Sequence, residues 1–299
     1  MSKKCCVYHS IDLDGWMSAA IVKHFFNGME DVDFIGYNYG NPIPDLGAYN
    51  NVIMCDISFP ENEMNLLIGD SPKNDRFIWC DHHVSAISNP NIKENWAKGF
   101  RSVNLSACEL TWKYFFPNKE MPEIVRLLGR YDCFGHKGTE EELKVLEFQY
   151  GSRQCITNYE EAYTELLYSL QNYPVKSEVV IHESGKSIYK YLCTEARQSY
   201  KNRFTVYFGD YAFCCINKER FNPINFGIQY HNDKADDIYF YDGVACFHYQ
   251  NNKWNFSLYN DNGHVDVSLI AKGFGGGGHK GAAGFVVEDL NTVFTQPKQ

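Results

Sequence analysis

Three short apolar runs, each stopping abruptly at carboxylate or imidazole side chains, set the strongest limit on what this chain can fold into. Cys5-Cys-Val-Tyr-His9, Asn51-Val-Ile-Met-Cys-Asp56 and Phe77-Ile-Trp-Cys, the last followed by Asp81-His82-His83, read as buried strands whose polar residues fall where each strand leaves its sheet. Between them, Gly15 to Phe26 places Met17, Ala20, Ile21 and Phe25 at helical spacing. Asp33 to Tyr37 reads as a further strand and Glu61 to Ile68 as a short helix. Alternating strands and helices predict an α/β fold with a mainly parallel sheet covered on both faces. Such sheets bind ligands beyond the carboxyl ends of their strands. His9, Asp56 and Asp81-His82-His83 are therefore expected at one edge, although they are far apart in sequence.

Helices follow. Ser106 to Phe116 opens with a Ser-x-x-Glu capping pattern, Pro122 to Tyr131 has proline in its first turn and stops at Asp132, and Glu140 to Phe148 and Tyr159 to Leu170 complete the set. The pattern changes near Tyr173-Pro174. Glu178 to Asn202 reads as a long amphipathic connector, followed by strand-like runs at 204–208, 211–217, 237–241, 245–249 and 254–259, with turns at Asp242-Gly243 and Asn251-Asn252. This predicts a first domain over 1–175, a helical connector over 176–202 and a smaller α+β domain over 203–299.

A net charge of −9 argues against a long basic groove for duplex nucleic acid. The 11 cysteines are scattered, often inside strand-like runs, and show no C-x-x-C pair at zinc spacing, so free core thiols are expected. The amino-terminal residues show no signal-like apolar region, and no run of about 18 apolar residues could span a membrane. A cytoplasmic address is the expectation.

His9-Ser-Ile-Asp12-Leu-Asp14-Gly15 puts one imidazole and two carboxylates at a strand-to-helix turn. Alone, Asp12 or Asp14 could simply cap the helix. Together with Asp56, His82, His83 and Asp132, they form a set of hard-cation ligands converging on one sheet edge. Carboxylates so crowded repel one another unless divalent cations neutralise them. The run Gly275-Gly-Gly-Gly278-His279-Lys280 reads either as a flexible loop or as a place where a ligand approaches the backbone; its flanking helix and strand favour the second. His24, His136 and His182 have no motif around them and read as ordinary structural residues.

These residues resemble the motifs of the DHH phosphoesterase superfamily: His9-x-x-Asp12-x-Asp14-Gly15, Asp56, Asp81-His82-His83 and Asp132, in order. The stretch from Asp266 to Phe285, with its Gly275–Gly278 run and His279, is similar to the signature of the DHH-associated carboxy-terminal domain. The resemblance covers nearly the whole chain and is nearest to oligoribonuclease-like members. It implies two Mn²⁺ ions, with Mg²⁺ or Co²⁺ as substitutes: His9, Asp12 and Asp56 for one, Asp14, Asp56, His82 and Asp132 for the other. Asp81 would orient an imidazole, and His83 would face the substrate phosphate. Gly275, Gly276, Gly277, Gly278, His279, Lys280 and Tyr259 would hold substrate. Many relatives carry Arg in a Ser-Leu-Arg-Ser segment where this chain has Ser257-Leu258-Tyr259-Asn260, so a bidentate phosphate clamp is missing at that position.

The implied activity is hydrolysis of phosphodiester bonds in short oligonucleotides or dinucleotides, by water activated at a two-cation site, to nucleoside monophosphates. The alternatives are 3′-phosphoadenosine 5′-phosphate and cyclic dinucleotides, then pyrophosphate or polyphosphate, then a nucleotide sensor without catalysis. The expected partner is a short single-stranded oligonucleotide or nucleotide, with no membrane and no long duplex; a homodimer is compatible with the sequence.

Overall fold

The four amino-terminal strands pair in parallel in the order β2-β1-β3-β4, where β1 is Lys4–His9, β2 Val32–Tyr37, β3 Asn51–Cys55 and β4 Phe77–Cys80. Their near-continuous apolar character has a direct cause: both faces are covered. Cys5, Val7, Val52, Met54, Phe77 and Trp79 point to one side, where α2 (Glu61–Ile68) contributes Met64 and Ile68. Cys6, Tyr8, Ile53, Cys55 and Cys80 point to the other, against Ala19 and Val22 of α1 (Leu13–Phe26). After β4 come the single turn α3 (Val84–Ile87) and a return of the chain alongside β4, where Trp79 N donates to Lys98 O and Asp81 N to Phe100 O.

The computed structural model describes residues 3–26, 32–71, 75–171, 177–219, 221–226, 241–260 and 263–294. The chain divides into two compact units, Met1–Ile188 and Tyr189–Gln299. Four further helices lie wholly in the first: α4 (Ala107–Phe115), α5 (Glu123–Asp132), α6 (Glu142–Cys155) and α7 (Tyr159–Leu170). The expected capping box of α4 is formed in full by Ser106 and Glu109. With α1, these helices share a core around Met17, Ile21, Trp112, Leu127 and Phe148. Helix α6 runs seven residues past the predicted stop at Phe148. Its Gly151 does not end the helix but lets α8 (Ser177–Tyr200) approach, since a Cβ there would sit 2.1 Å from Ile181 O.

The second unit holds a six-stranded sheet in the order β5-β6-β7-β8-β10-β9. Its strands are β5 (Phe204–Phe208), β6 (Tyr211–Asn217), β7 (Gly243–Gln250), β8 (Lys253–Tyr259), β9 (Gly277–His279) and β10 (Ala282–Val287). Only β6 and β7 pair in parallel. The Asn251-Asn252 turn joins β7 to β8 with φ of 54° and 61°, the left-handed pair that a tight hairpin requires. Helix α9 (Val267–Gly273) lays Val267 and Ala271 against Phe256, Leu258 and Phe285. Most of the predicted strand at 237–241 lies outside the described residues. All 11 cysteines are free thiols. Among the described residues, no helix is long and apolar enough to cross a membrane.

Candidate metal centre

The carboxyl ends of β1, β3 and β4 deliver the expected side chains to one place. His9 ends β1, and α1 starts so close behind it that a Cβ on Gly15 would lie 2.0 Å from His9 O. Glycine is needed here for close approach. Asp12 Oδ1 accepts the Gly15 amide at 2.9 Å, so the capping reading holds, while Oδ2 stands 2.7 Å from His9 Nδ1. Asp14 is buried, and its two oxygens accept the Ala107 and Cys108 amides, each at 2.8 Å, in the first turn of α4. Asp56 follows β3 in the left-handed region, with φ of 61°, and its amide donates to Cys80 O at 3.0 Å. A non-glycine residue held there marks a site where local backbone preference yields to another demand. Asp132 is the last residue of α5.

Three groups that could hold a cation result: His9, Asp12 and Asp56; Asp56, His82 and His83; and Asp14, His82 and Asp132. Asp56 and His82 each belong to two of them. His82 Nε2 lies 3.1 Å from Asp132 Oδ2, 3.3 Å from Asp56 Oδ1 and 3.8 Å from Asp14 Oδ2. His9 Nδ1 is 3.3 Å from Asp56 Oδ2. Despite these short separations, His9 Nδ1 and Asp56 Oδ1 are buried with no partner in hydrogen-bond geometry. Donor atoms that crowd together without bonding one another fit a common ion, and mixed imidazole and carboxylate oxygen donors suit Mn²⁺ and its neighbours. The residues present therefore fit a bound divalent cation.

Electrostatics gives the same picture. Burial, and then the charges of Asp14 and Asp12, push the Asp56 carboxyl well above the usual range; burial and Asp14 do the same to Asp132. Burial opposes a charged His9, yet Asp12 and Asp56 overcome it and raise the imidazole to about 11. His82 is raised against burial by Asp132 and Asp14, and His83 by Asp81. Among the described residues, the ion pairs of Asp12, Asp14, Asp56, Asp81 and Asp132 are with imidazoles. A bound cation would relieve the same crowding of carboxylates.

Asp81 is fully buried and acts as a hub. Its Oδ1 accepts from His82 N at 2.7 Å and His83 N at 3.2 Å, and lies 2.8 Å from His83 Nδ1. These donors hold its carboxyl below the usual range despite burial. Its Oδ2 accepts the indole N–H of Trp79 at 3.2 Å, and the same N–H reaches Ile57 O at 3.1 Å. Trp79 thus ties the exits of β3 and β4 together. It is one residue that sequence reasoning took only for core. Asn38 and Tyr39, at the exit of β2, are two more: Asn38 Oδ1 is 3.4 Å from His9 Nε2, and the Tyr39 ring sits edge-on to His9 and His83. The strand-end rule would have found them had it been applied to β2.

The predicted substrate-holding residues lie in the second unit. Tyr259, Ala282 and His279 face one another in one row across β8, β10 and β9. The glycine run, however, is largely structure. The amides of Gly275 and Gly276 donate to Lys272 O and Ala271 O at the end of α9, so they close that helix. A Cβ on Gly276 would meet Gly284 O at 2.1 Å, and one on Gly278 would meet Ala282 O at 2.6 Å. Only Gly277 has both ordinary φ and open space beside it. Lys280 is exposed at the turn between β9 and β10. His136 Nδ1 bonds Arg130 O and its ring stacks on Tyr131, a structural role as expected.

No model of a known protein family matches the chain. An uncharacterised protein of Acanthamoeba polyphaga mimivirus is 25% identical over 95% of this chain, which spans 67% of that protein's length. Among solved structures, an exopolyphosphatase-related protein from Bacteroides fragilis aligns over 95% of this chain and 86% of its own, at 12% identity and a TM-score of 0.53. RecJ from Thermus thermophilus, solved with Mn²⁺, aligns over 97% of this chain and 50% of its own, at 12% identity and a TM-score of 0.45. The α/β architecture, with its parallel sheet and separate second sheet, is thus shared with the Bacteroides protein.

Proposed function

We propose that the chain is a divalent-cation-dependent phosphoesterase of the DHH superfamily, hydrolysing phosphodiester bonds of short oligonucleotides or dinucleotides to nucleoside monophosphates. One observation carries this reading: three overlapping ligand groups share Asp56 and His82, and buried donor atoms within them bond no neighbour. His9, Asp12 and Asp56 would hold one ion, and Asp14, Asp56, His82 and Asp132 the other. When bound, such a pair acidifies water and neutralises developing charge on the phosphoryl oxygens. The chain's own part is positioning. Backbone amides of α4 fix Asp14, the left-handed turn fixes Asp56, and Asp81 holds His83 by Nδ1, which leaves Nε2 as the nitrogen that would face the substrate phosphate. A short substrate suits an acidic chain, because a phosphate held at the cations needs no long basic groove.

A hydrolysis panel tests the reading: 5′-phosphorylated RNA and DNA dimers to hexamers, cyclic dinucleotides, 3′-phosphoadenosine 5′-phosphate, pyrophosphate and polyphosphate, each with Mn²⁺ or with chelator. The expected result is cation-dependent release of mononucleotides, fastest from the shortest oligomers. Turnover of pyrophosphate or polyphosphate alone would move the assignment to phosphoanhydrides. No turnover of anything with cation bound would leave a nucleotide sensor. His279→Ala should raise KM about tenfold with kcat nearly kept, and an unchanged KM would remove His279 from the holding role.

A further inference from the structure

We propose that Tyr39 contacts substrate, its half-exposed ring forming a stacking wall for the base or sugar attached to the reacting phosphate. The proposal rests on the phosphoesterase reading for its choice of ligand. Its physical basis is the exit of β2. Ser10 donates twice to Tyr37 O, from its amide at 3.0 Å and its hydroxyl at 3.3 Å, which pins the end of β2 beside the end of β1. The chain then closes a turn, with Asn41 N on Asn38 O at 3.0 Å and the Tyr37 hydroxyl on Asn41 O at 3.4 Å. Asn38 and Tyr39 are presented from this turn.

Their side chains divide the work. Asn38 Oδ1 lies 3.4 Å from His9 Nε2, a contact that orients the ring with Nδ1 toward Asp12 and Asp56. Tyr39 stands over the cluster. Its ring centroid is 6.0 Å from His9 and 5.9 Å from His83, at 60° and 73°, and its hydroxyl lies 3.5 Å from Ser58 Oγ just past the exit of β3. Three neighbours on three strand exits thus hold the ring, yet 47% of the residue remains exposed. A single exposed aromatic usually needs no explanation. This one borders the two imidazoles on either side of Asp56, so a phosphate bound between them has the Tyr39 ring as its neighbour. The group carried by that phosphate meets a rigid π-face, on which any base can stack. Tyrosine supplies such a surface at low entropic cost, having only two side-chain torsions to fix.

The test compares wild type, Tyr39→Phe and Tyr39→Ala by calorimetry with Mg²⁺ present. Adenosine 5′-monophosphate is the probe and inorganic phosphate the ringless control. Expected are a loss of about tenfold or more in nucleotide affinity for Tyr39→Ala, a change within about twofold for Tyr39→Phe, and unchanged phosphate and cation affinities. Unchanged nucleotide binding in Tyr39→Ala, equal weakening of nucleotide and phosphate, or a wild type that binds the nucleotide no better than phosphate would each overturn the proposal. Turnover on the substrate panel is measured separately. Active wild type with normal nucleotide binding by Tyr39→Ala removes only Tyr39; inactive wild type with the expected binding pattern removes only the catalytic reading.

Discussion

Two acidic clusters in the first unit handle charge in opposite ways. On the surface, Arg126 is bidentate to both Glu123 and Glu141, and Lys144 adds a 2.7 Å contact to Glu123. Two carboxylates meet two cations, and every partner is supplied by the chain. At the strand ends, five aspartates meet three imidazoles, Asp56 and Asp81 are buried, and the carboxyls of Asp56 and Asp132 are forced upward by burial and then by neighbouring carboxylates. Counter-charge is built in at the first cluster; at the second, imidazoles supply part of it and an imported cation would supply the rest. A chain that crowds five carboxylates around three imidazoles sacrifices stability for something, and a cation site is the economical account.

The sharpest way to break this comparison is Asp56→Asn. Asparagine tolerates the left-handed backbone and keeps the shape, so the fold survives. Loss of a partner behind a metal ligand already costs about 10–100-fold in affinity or activity, so removing the residue shared by two groups should cost at least about a hundredfold in Mn²⁺-dependent turnover. The same change should raise thermal stability without metal, because a buried carboxyl crowded by like charges disappears. Mn²⁺ at a hundred times its Kd should stabilise wild type by about 2.7 kcal/mol and this variant far less. Scanning calorimetry with and without Mn²⁺ measures both halves, and equal stabilisation of the two proteins would sink the shared-ligand assignment.

Trp79→Phe asks whether the imported charge also needs a built frame. It removes the one N–H that bridges Ile57 O and Asp81 Oδ2 but keeps most of the buried ring. Two acceptors lose a donor in a dry interior, so a stability loss of about 1–3 kcal/mol is expected. Cation affinity should fall by about tenfold through Asp81 and His83. Isothermal titration with Mn²⁺ decides it; an unchanged affinity would make Trp79 a packing residue only.

How much of this was legible follows from where the partners lie. The parallel sheet was readable because strands buried on both faces are apolar without interruption, and the strand-end rule selected His9, Asp56 and the Asp81–His83 triplet without knowledge of contacts. Ser106 and Glu109 announced the capping box because both partners sit within one turn. Asp14 shows the opposite case: its amide donors, Ala107 and Cys108, are more than ninety residues away, so no spacing reveals them. The Trp79 bridge hid for a different reason, since an indole in an apolar run reads as core and its N–H is silent in a hydropathy pattern. Within the glycine run, the sequence left a flexible loop or a close ligand approach open, and it did not reveal that Gly276 and Gly278 also pack against backbone of β10. Side-chain-free positions serve ligands and packing equally well, and only coordinates separate the two.

The smallest expected effect belongs to the self-sufficient cluster, and its pH dependence distinguishes it from the metal centre. The Arg126 and then Lys144 contacts hold Glu123 down at about 2, below an ordinary 4.5. A carboxyl whose folded pKa is depressed contributes stability that is fully present above the unfolded value and is lost as pH falls through the folded one. Glu123→Gln should therefore be less stable than wild type at neutral pH, by about 1 kcal/mol for a partly exposed bidentate network. The gap should narrow below pH 4.5 and close near pH 2. It should also shrink in high salt and ignore Mn²⁺, because its cations are covalently part of the chain. Denaturant melts of the two proteins across that pH range, with and without Mn²⁺, give the answer. A gap that responds to Mn²⁺ would mean the two clusters are coupled, and the division between built and imported counter-charge would no longer hold.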